Sequence, residues 1–209
     1  MKPQALVVGA GGHGRVIGAS LRFLGIEIAA FIDPDFCRAK ATATEETISG
    51  APVIGNLGEL NRFSADQFDV YVALGDNVKR KSSIGQLRMA GYAMPALIHP
   101  ASRLNYGVRI GEASCVCMGV NLAAEVRIGA GVIVNTGALV DHECDIADFV
   151  HLAPGVVVAG RVSVAEGAFI GMGARVADGV SIGRGAIVGA GSVVLKDVPE
   201  GAKVLGVYH

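Results

Sequence analysis

From Ile110 onward every sixth residue of the chain is aliphatic: Ile110, Val116, Leu122, Ile128, Val134, Val140, Ile146, Leu152, Val158, Val164, Ile170, Val176, Ile182, Val188 and Val194. A period of six fits neither one face of an α-helix nor an ordinary hairpin array. It is the hexapeptide signature of a β-helix, in which each aliphatic side chain points into a narrow shaft. Four places after each of these stands another small or apolar residue, from Ser114, Val120 and Val126 through to Val198, which fills the shaft. Glycines in this stretch fall one or three places after the aliphatic residue, where a chain turning a corner every six residues needs positive φ or no side chain. Gly160 alone is out of register.

The repeat resembles the left-handed parallel β-helix of hexapeptide acyltransferases, and the resemblance implies the handedness and three hexads per triangular coil. Residues 18 apart then stack. Two outward columns are mostly apolar, Cys115–Ile133–His151–Phe169–Ile187 and Asn121–Leu139–Val157–Arg175–Val193, whereas the third, Arg127–Asp145–Ser163–Ser181–Pro199, is polar. Apolar stripes on two outer faces predict contact with copies of the same chain, and a homotrimer shares both stripes among equivalent interfaces. His142 belongs to the column Tyr106–Ala124–His142–Gly160–Asp178, so the displaced glycine lies one coil beyond it. Either a ligand approaches backbone there and uses a free N–H, or the glycine relieves crowding against the imidazole. Nearby, Glu143, Phe149 and Arg161 replace the usual corner glycines, so regularity breaks where polar residues gather.

The first hundred residues obey a different grammar. "ALVVGAGGHGRVIGASLRFLG" reads as strand, glycine turn and helix. The strand "IEIAAFID" follows, and later "FDVYVALGDN", a helical "VKRKSSIGQLRMAG" and "YAMPALI". Such alternation predicts a Rossmann-like α/β domain with a parallel sheet over 1–98, ahead of a β-helix domain over 99–209, with the break at "IHPAS". Gly9, Gly11 and Gly14 satisfy G-x-G-x-x-G between a strand and a helix, and Asp33 ends the second strand where an acidic ribose partner is expected.

Composition narrows the function classes. With 18 basic and 19 acidic residues the net charge is −1, which offers no general attraction to nucleic acid or anionic lipid. No secretory signal or membrane-spanning run is legible, so a cytoplasmic protein is expected. Cys37, Cys115, Cys117 and Cys144 lack disulfide-framework or metal-ligand spacing and read as reduced packing residues, with no metal expected.

"GAGGHG", "DHEC" and "HLAPG" together resemble bacterial sugar acetyltransferases that N-acetylate nucleotide-linked amino sugars or O-acetylate sialic acids. The resemblance spans nearly the whole chain. It implies an acetyl-CoA-dependent acyltransferase of surface polysaccharide or glycan biosynthesis, acting on the 4-amino group of a nucleotide-diphosphate-linked amino deoxysugar. It also implies His142 as general base and Glu143 as the residue orienting its ring, with Asp141 the competing partner. His151 would contact the acetyl thioester and the Gly160 N–H would face the oxyanion. Asn135 would hold the pantetheine arm, with backbone around Met172 and Ala190 along its path. For the nucleotide sugar, Gly11, Gly12, His13 and Gly14 would meet the diphosphate and sugar, Asp33 and Asp35 the base or ribose, and Gly75, Asn77 and Arg80 would form a second loop. His13 also reads as a plain turn residue, and Arg80 as a solvated helix charge.

Several rivals stay open on sequence alone. An O-acetyltransferase acting on sialic acid shares the motifs, although a long glycine turn better suits a diphosphate sugar. A non-catalytic nucleotide-sugar-binding protein would not need His142 beside Glu143. A zinc carbonic anhydrase needs a histidine cluster, and the repeat holds only two histidines. The α/β half is short for a dinucleotide-dependent oxidoreductase.

Overall fold

A computed structural model describes residues 4–33 and 47–209 of the chain, so Asp35 and Cys37 lie outside the described residues. The chain forms two compact units, Met1–Leu97 and Ile98–His209.

In the first unit, β1 (Gln4–Val8), α1 (Gly12–Phe23), β2 (Ile28–Ile32), β3 (Thr47–Ile48), β4 (Ala51–Ile54), β5 (Phe68–Val72) and α2 (Asn77–Met89) follow in order, with a 3-10 turn at Leu57–Arg62. The sheet runs β3-β4-β2-β1-β5, parallel except for the β3/β4 pair. Ala5 to Val8 of β1 are all buried, the continuous apolar run of a strand covered on both faces. Ile17 and Leu21 of α1 and Ile84 and Leu87 of α2 supply apolar surface that is likewise buried. "YAMPALI" is not one strand of this sheet. Ala93 bridges Asp69 at the edge of β5, while Leu97–Ile98 pairs with Cys115–Val116 in the second unit. Pro95 separates the two pieces, since it has no N–H for a sheet ladder.

The second unit is a parallel β-helix built from two-residue strands. They stack into three faces. The first begins at Leu97–Ile98 and has seven strands, the second begins at Arg103–Leu104 and has seven, and the third begins at Arg109–Ile110 and has five. The register is 18 residues: Ile133 pairs with Cys115 and His151, Leu139 with Asn121 and Val157, and Asp145 with Arg127 and Ser163. Of the fifteen hexad residues, all but Ile110 at the open end are buried.

The two glycine registers have different causes. Every residue three places after an aliphatic one, from Ala113 to Gly191, has φ between 55° and 74°. The glycines one place after have ordinary φ, but a side chain there would strike the next coil: a Cβ on Gly171 would lie 2.6 Å from the Ala190 nitrogen. Gly160 belongs to neither class.

Two departures from strict periodicity shape the outer surface. Cys115 and Ile133 are buried, so the apolar stripe of the first face is displayed only from His151 through Phe169 to Ile187. The last coil is short. Val198 bridges Ile182, and Lys203 and Val207 pair with Ile187 and Val193, so Pro199 does not continue the third column. The Val198 carbonyl accepts from the Gly183 N–H, and the Ser181 N–H goes to the Asp197 carboxylate, each at 2.8 Å.

Candidate active site

His142 stands on the corner between the second and third faces, two residues beyond the buried Val140. Its neighbour Glu143 occupies the positive-φ corner position, with φ 58°. That left-handed turn defeats the opposite-facing geometry of adjacent strand residues and swings the carboxylate beside the ring, with Glu143 Oε2 3.0 Å from His142 Nδ1. Asp141 does not compete, because its Oδ1 accepts the His142 backbone N–H at 2.8 Å. A carboxylate can only accept, so the imidazole proton sits on Nδ1 and the lone pair on Nε2. The two side chains are 42% and 55% exposed, open enough for a substrate to reach.

Gly160 lies under this ring one coil on. A Cβ there would be 2.6 Å from His142 Cε1, 2.7 Å from Nε2 and 3.0 Å from Asp178 Oδ1. The missing side chain therefore makes room for the imidazole, which supports the crowding reading, and it also bares backbone next to Nε2. Below it, Asp178 Oδ2 accepts from Arg161 Nη2 at 2.5 Å. Cys144 completes the corner, its thiol donating to the Ala159 carbonyl at 3.0 Å. Burial, reinforced by the Asp141 and Asp178 charges, pushes this thiol up to about 11. At neutral pH it is no nucleophile, which leaves no thiolate at this corner to carry an acyl group.

The remaining helix residues gather elsewhere. Asn135, Met172 and Ala190 lie along the corner between the first and second faces, and His151 stands on the first face. The Thr136 N–H donates to Asn135 Oδ1 at 2.8 Å, which turns the amide nitrogen toward His151 Nε2 at 3.3 Å. His151 Nε2 is then an acceptor. Phe169 packs edge-on against the ring at 5.1 Å. Within one chain, His142, Glu143 and Gly160 share one corner, and Asn135, His151, Met172 and Ala190 surround another.

In the α/β unit the glycines divide their labour. A Cβ on Gly9 (φ +110°) would meet the Ala73 carbonyl at 2.7 Å, and one on Gly14 would overlap the Gly9 carbonyl, so these two serve the turn and the close helix–strand packing. A Cβ on Gly11 or Gly12 would meet nothing within 4 Å. Gly11 caps α1 without any side-chain bond and no acidic residue sits in the first turn, which leaves the helix N-terminus suited to an anion. The N-terminus of α2 is already filled, since Asp76 accepts from the Val78 and Lys79 N–H groups.

Asp33 is partly committed: its Oδ2 accepts the Ala10 N–H at 2.8 Å and so holds the glycine turn. Arg80 is no solvated helix charge. It is wholly buried, with Nη1 on the carbonyls of Leu74 (2.9 Å) and Gly75 (3.2 Å) and Nη2 on Asn77 Oδ1 (2.7 Å). Burial lowers it to about 10, partly offset by Asp76, so it remains charged at neutral pH and ties down the loop that carries Gly75 and Asn77. A cavity of about 700 Å³, the size of a small-molecule site, is lined by Gly9, Gly11 and Asp33 and, across from them, by Leu74, Lys79 and Ser82. The contribution of α2 to that wall was not foreseen, because its lining residues carry no motif.

Residues 4–87 match the family described as PglD N-terminal domain, and residues 161–196 match bacterial transferase hexapeptide (six repeats). No curated protein matches the sequence. Among solved structures, the chain is similar to perosamine N-acetyltransferase from Caulobacter crescentus in complex with CoA and GDP-perosamine, with 38% identity over 99% of this chain and 95% of that one and a TM-score of 0.90. The acetyltransferase domain of PglB from Neisseria gonorrhoeae, also solved with acetyl coenzyme A, shares 35% identity over 98% of this chain and 97% of its own, with a TM-score of 0.89. WeeI from Acinetobacter baumannii shares 30% over 98% and 97%, with a TM-score of 0.87. The chain belongs to the hexapeptide-repeat nucleotide-sugar N-acetyltransferases.

As a member of that acetyltransferase family it is an acyltransferase with a left-handed β-helix. Among its described residues no group of three or more His, Cys, Asp or Glu side chains is clustered as a metal site, and no helix is long and apolar enough to cross a membrane. Asp178 and Arg161 are the acetyltransferase's corner residues that sequence reasoning did not assign to the site. The signal was present, because Asp178 stands 36 residues after His142 in the same column.

Proposed function

We propose that the chain transfers an acetyl group from acetyl-coenzyme A to the 4-amino group of a nucleotide-diphosphate-linked amino deoxysugar for surface glycan biosynthesis. The observation carrying this reading is the His142 ring, fixed by Glu143 at Nδ1 and open at Nε2 above a bare backbone. Nε2 accepts the proton that the amine loses as its lone pair attacks the thioester carbonyl. The C–N bond forms, the C–S bond breaks, and the coenzyme thiolate leaves and takes up a proton. The Gly160 N–H faces the oxyanion. A base of this kind contributes about 10² to 10⁴ in rate.

Asn135 and His151, with backbone at Met172 and Ala190, hold the pantetheine arm and the thioester. They surround a different corner from His142, so a homotrimer, in which one copy's corner meets a neighbour's, completes the site. The displayed Leu139, Val157 and Val193 supply apolar surface for that contact. Gly11 and Gly12 receive the diphosphate at the uncapped end of α1, with His13 toward the sugar and Gly14 keeping the turn closed, and Asp33 faces base or ribose. Gly75 and Asn77 form the second loop, with Arg80 positioning it. Both substrates are cytoplasmic metabolites, which places the reaction in the cytoplasm.

A thiol-release assay against nucleotide-linked 4-amino sugars and sialic acids tests the reading. Turnover with a nucleotide amino sugar is expected. Turnover only with sialic acids would replace it by O-acetylation, and turnover with neither would overturn it.

A further inference from the structure

The carboxylates around His142 are not equivalent. Asp141 is spent on a backbone N–H and Glu143 on Nδ1. Asp178 has one oxygen, Oδ2, on Arg161, while Oδ1 lies beside the space that a Gly160 side chain would fill. The position a Gly160 Cβ would take is 2.7 Å from His142 Nε2 and 3.0 Å from Asp178 Oδ1, so the two atoms flank the same approach to bare backbone. Arg161 sits at φ 55°, a conformation that costs a non-glycine residue energy and that brings its guanidinium to the Asp178 carboxylate at this corner. Three carboxylates against one guanidinium leave the corner negative, suited to a cation.

We propose that Asp178 is the acceptor-recognition residue of this enzyme: its Oδ1 binds the substrate's ammonium group opposite His142 Nε2 and makes the site select amines over hydroxyls. The inference rests on the acetyltransferase reading above. A sugar amine is largely R–NH₃⁺ at neutral pH, and two protons must leave its nitrogen in all. His142 takes the first and passes it to solvent. The amine then attacks, its nitrogen becomes cationic as the C–N bond forms, and Asp178 stabilises that charge until His142 removes the second proton. That proton goes to the departing thiolate, giving the amide, coenzyme A as thiol and one released proton. A hydroxyl acceptor has no stable cationic form, so the same carboxylate gains nothing from it.

The test compares the affinity of the full protein, without acetyl-coenzyme A, for GDP-perosamine and its 4-hydroxy counterpart, or for the uridine or thymidine pair if the wild type acetylates that sugar instead. Asp178→Asn is expected to cut the preference for the amino sugar about ten- to hundredfold, while coenzyme A affinity stays unchanged. Asp178→Glu, which keeps the charge, is expected to retain part of the preference. A folded Asp178→Asn protein with the wild-type preference, or one that weakens both sugars equally, would overturn the assignment to Asp178 alone. A wild type that acetylates no nucleotide amino sugar would bring down the broader reading with it.

Discussion

At the scale of single residues, the catalytic role proposed for His142 rests on three neighbours at its corner. Gly160 gave up its side chain, and Glu143 and Arg161 took positive-φ positions that suit glycine. Gly160→Ala therefore pushes a methyl group into the imidazole. Displacing a base by about 1 Å costs on the order of 10² in rate, so kcat is expected to fall by about that factor while circular dichroism stays unchanged. Cys144 makes the opposite prediction. Its thiol is protonated at neutral pH and bonded to a carbonyl, so Cys144→Ala is expected to keep turnover within the same order of magnitude, measured by thiol release. A covalent acyl-cysteine route would lose nearly all activity in that variant.

At the scale of elements, the six-residue period marked shaft and corners, and the resemblance to hexapeptide acyltransferases supplied the three-hexad coil that repeats each environment every 18 residues. Gly171→Ala is expected to destabilise the β-helix by about 1–3 kcal/mol, as overpacking does, since its Cβ would meet the backbone of the next coil. Glu125→Gly relieves a strained corner of φ 61° and is expected to raise the thermal midpoint, by about 1 kcal/mol of stability. What the period could not reveal is where a side chain goes once it leaves the corner. Glu143 reaching Nδ1, Asp178 turning toward Gly160, and Arg80 burying its charge among the carbonyls of its own loop all depend on local torsions that no spacing encodes. In the α/β unit the glycine fingerprint marked the turn correctly, yet a motif cannot tell which glycine serves packing and which serves a ligand. The Cβ contacts separate Gly9 and Gly14 from Gly11 and Gly12.

At the scale of the whole molecule, the displayed apolar residues are the surface on which the proposed homotrimer rests. Leu139 is 40% exposed on the second face, beside Val157. Sedimentation of the wild type is expected to give three times the chain mass of 21.3 kDa, and Leu139→Asp is expected to shift it toward the single chain. Loss of assembly should remove activity as well, because the residues about the two corners would no longer meet. The most direct measurement is coenzyme A release by wild type and His142→Ala side by side, with acetyl-coenzyme A and the nucleotide amino sugar that the wild type accepts. A folded His142→Ala protein slowed by about 10² to 10⁴ is the expected result; near-native turnover in that variant would show that the imidazole above Gly160 is not the base.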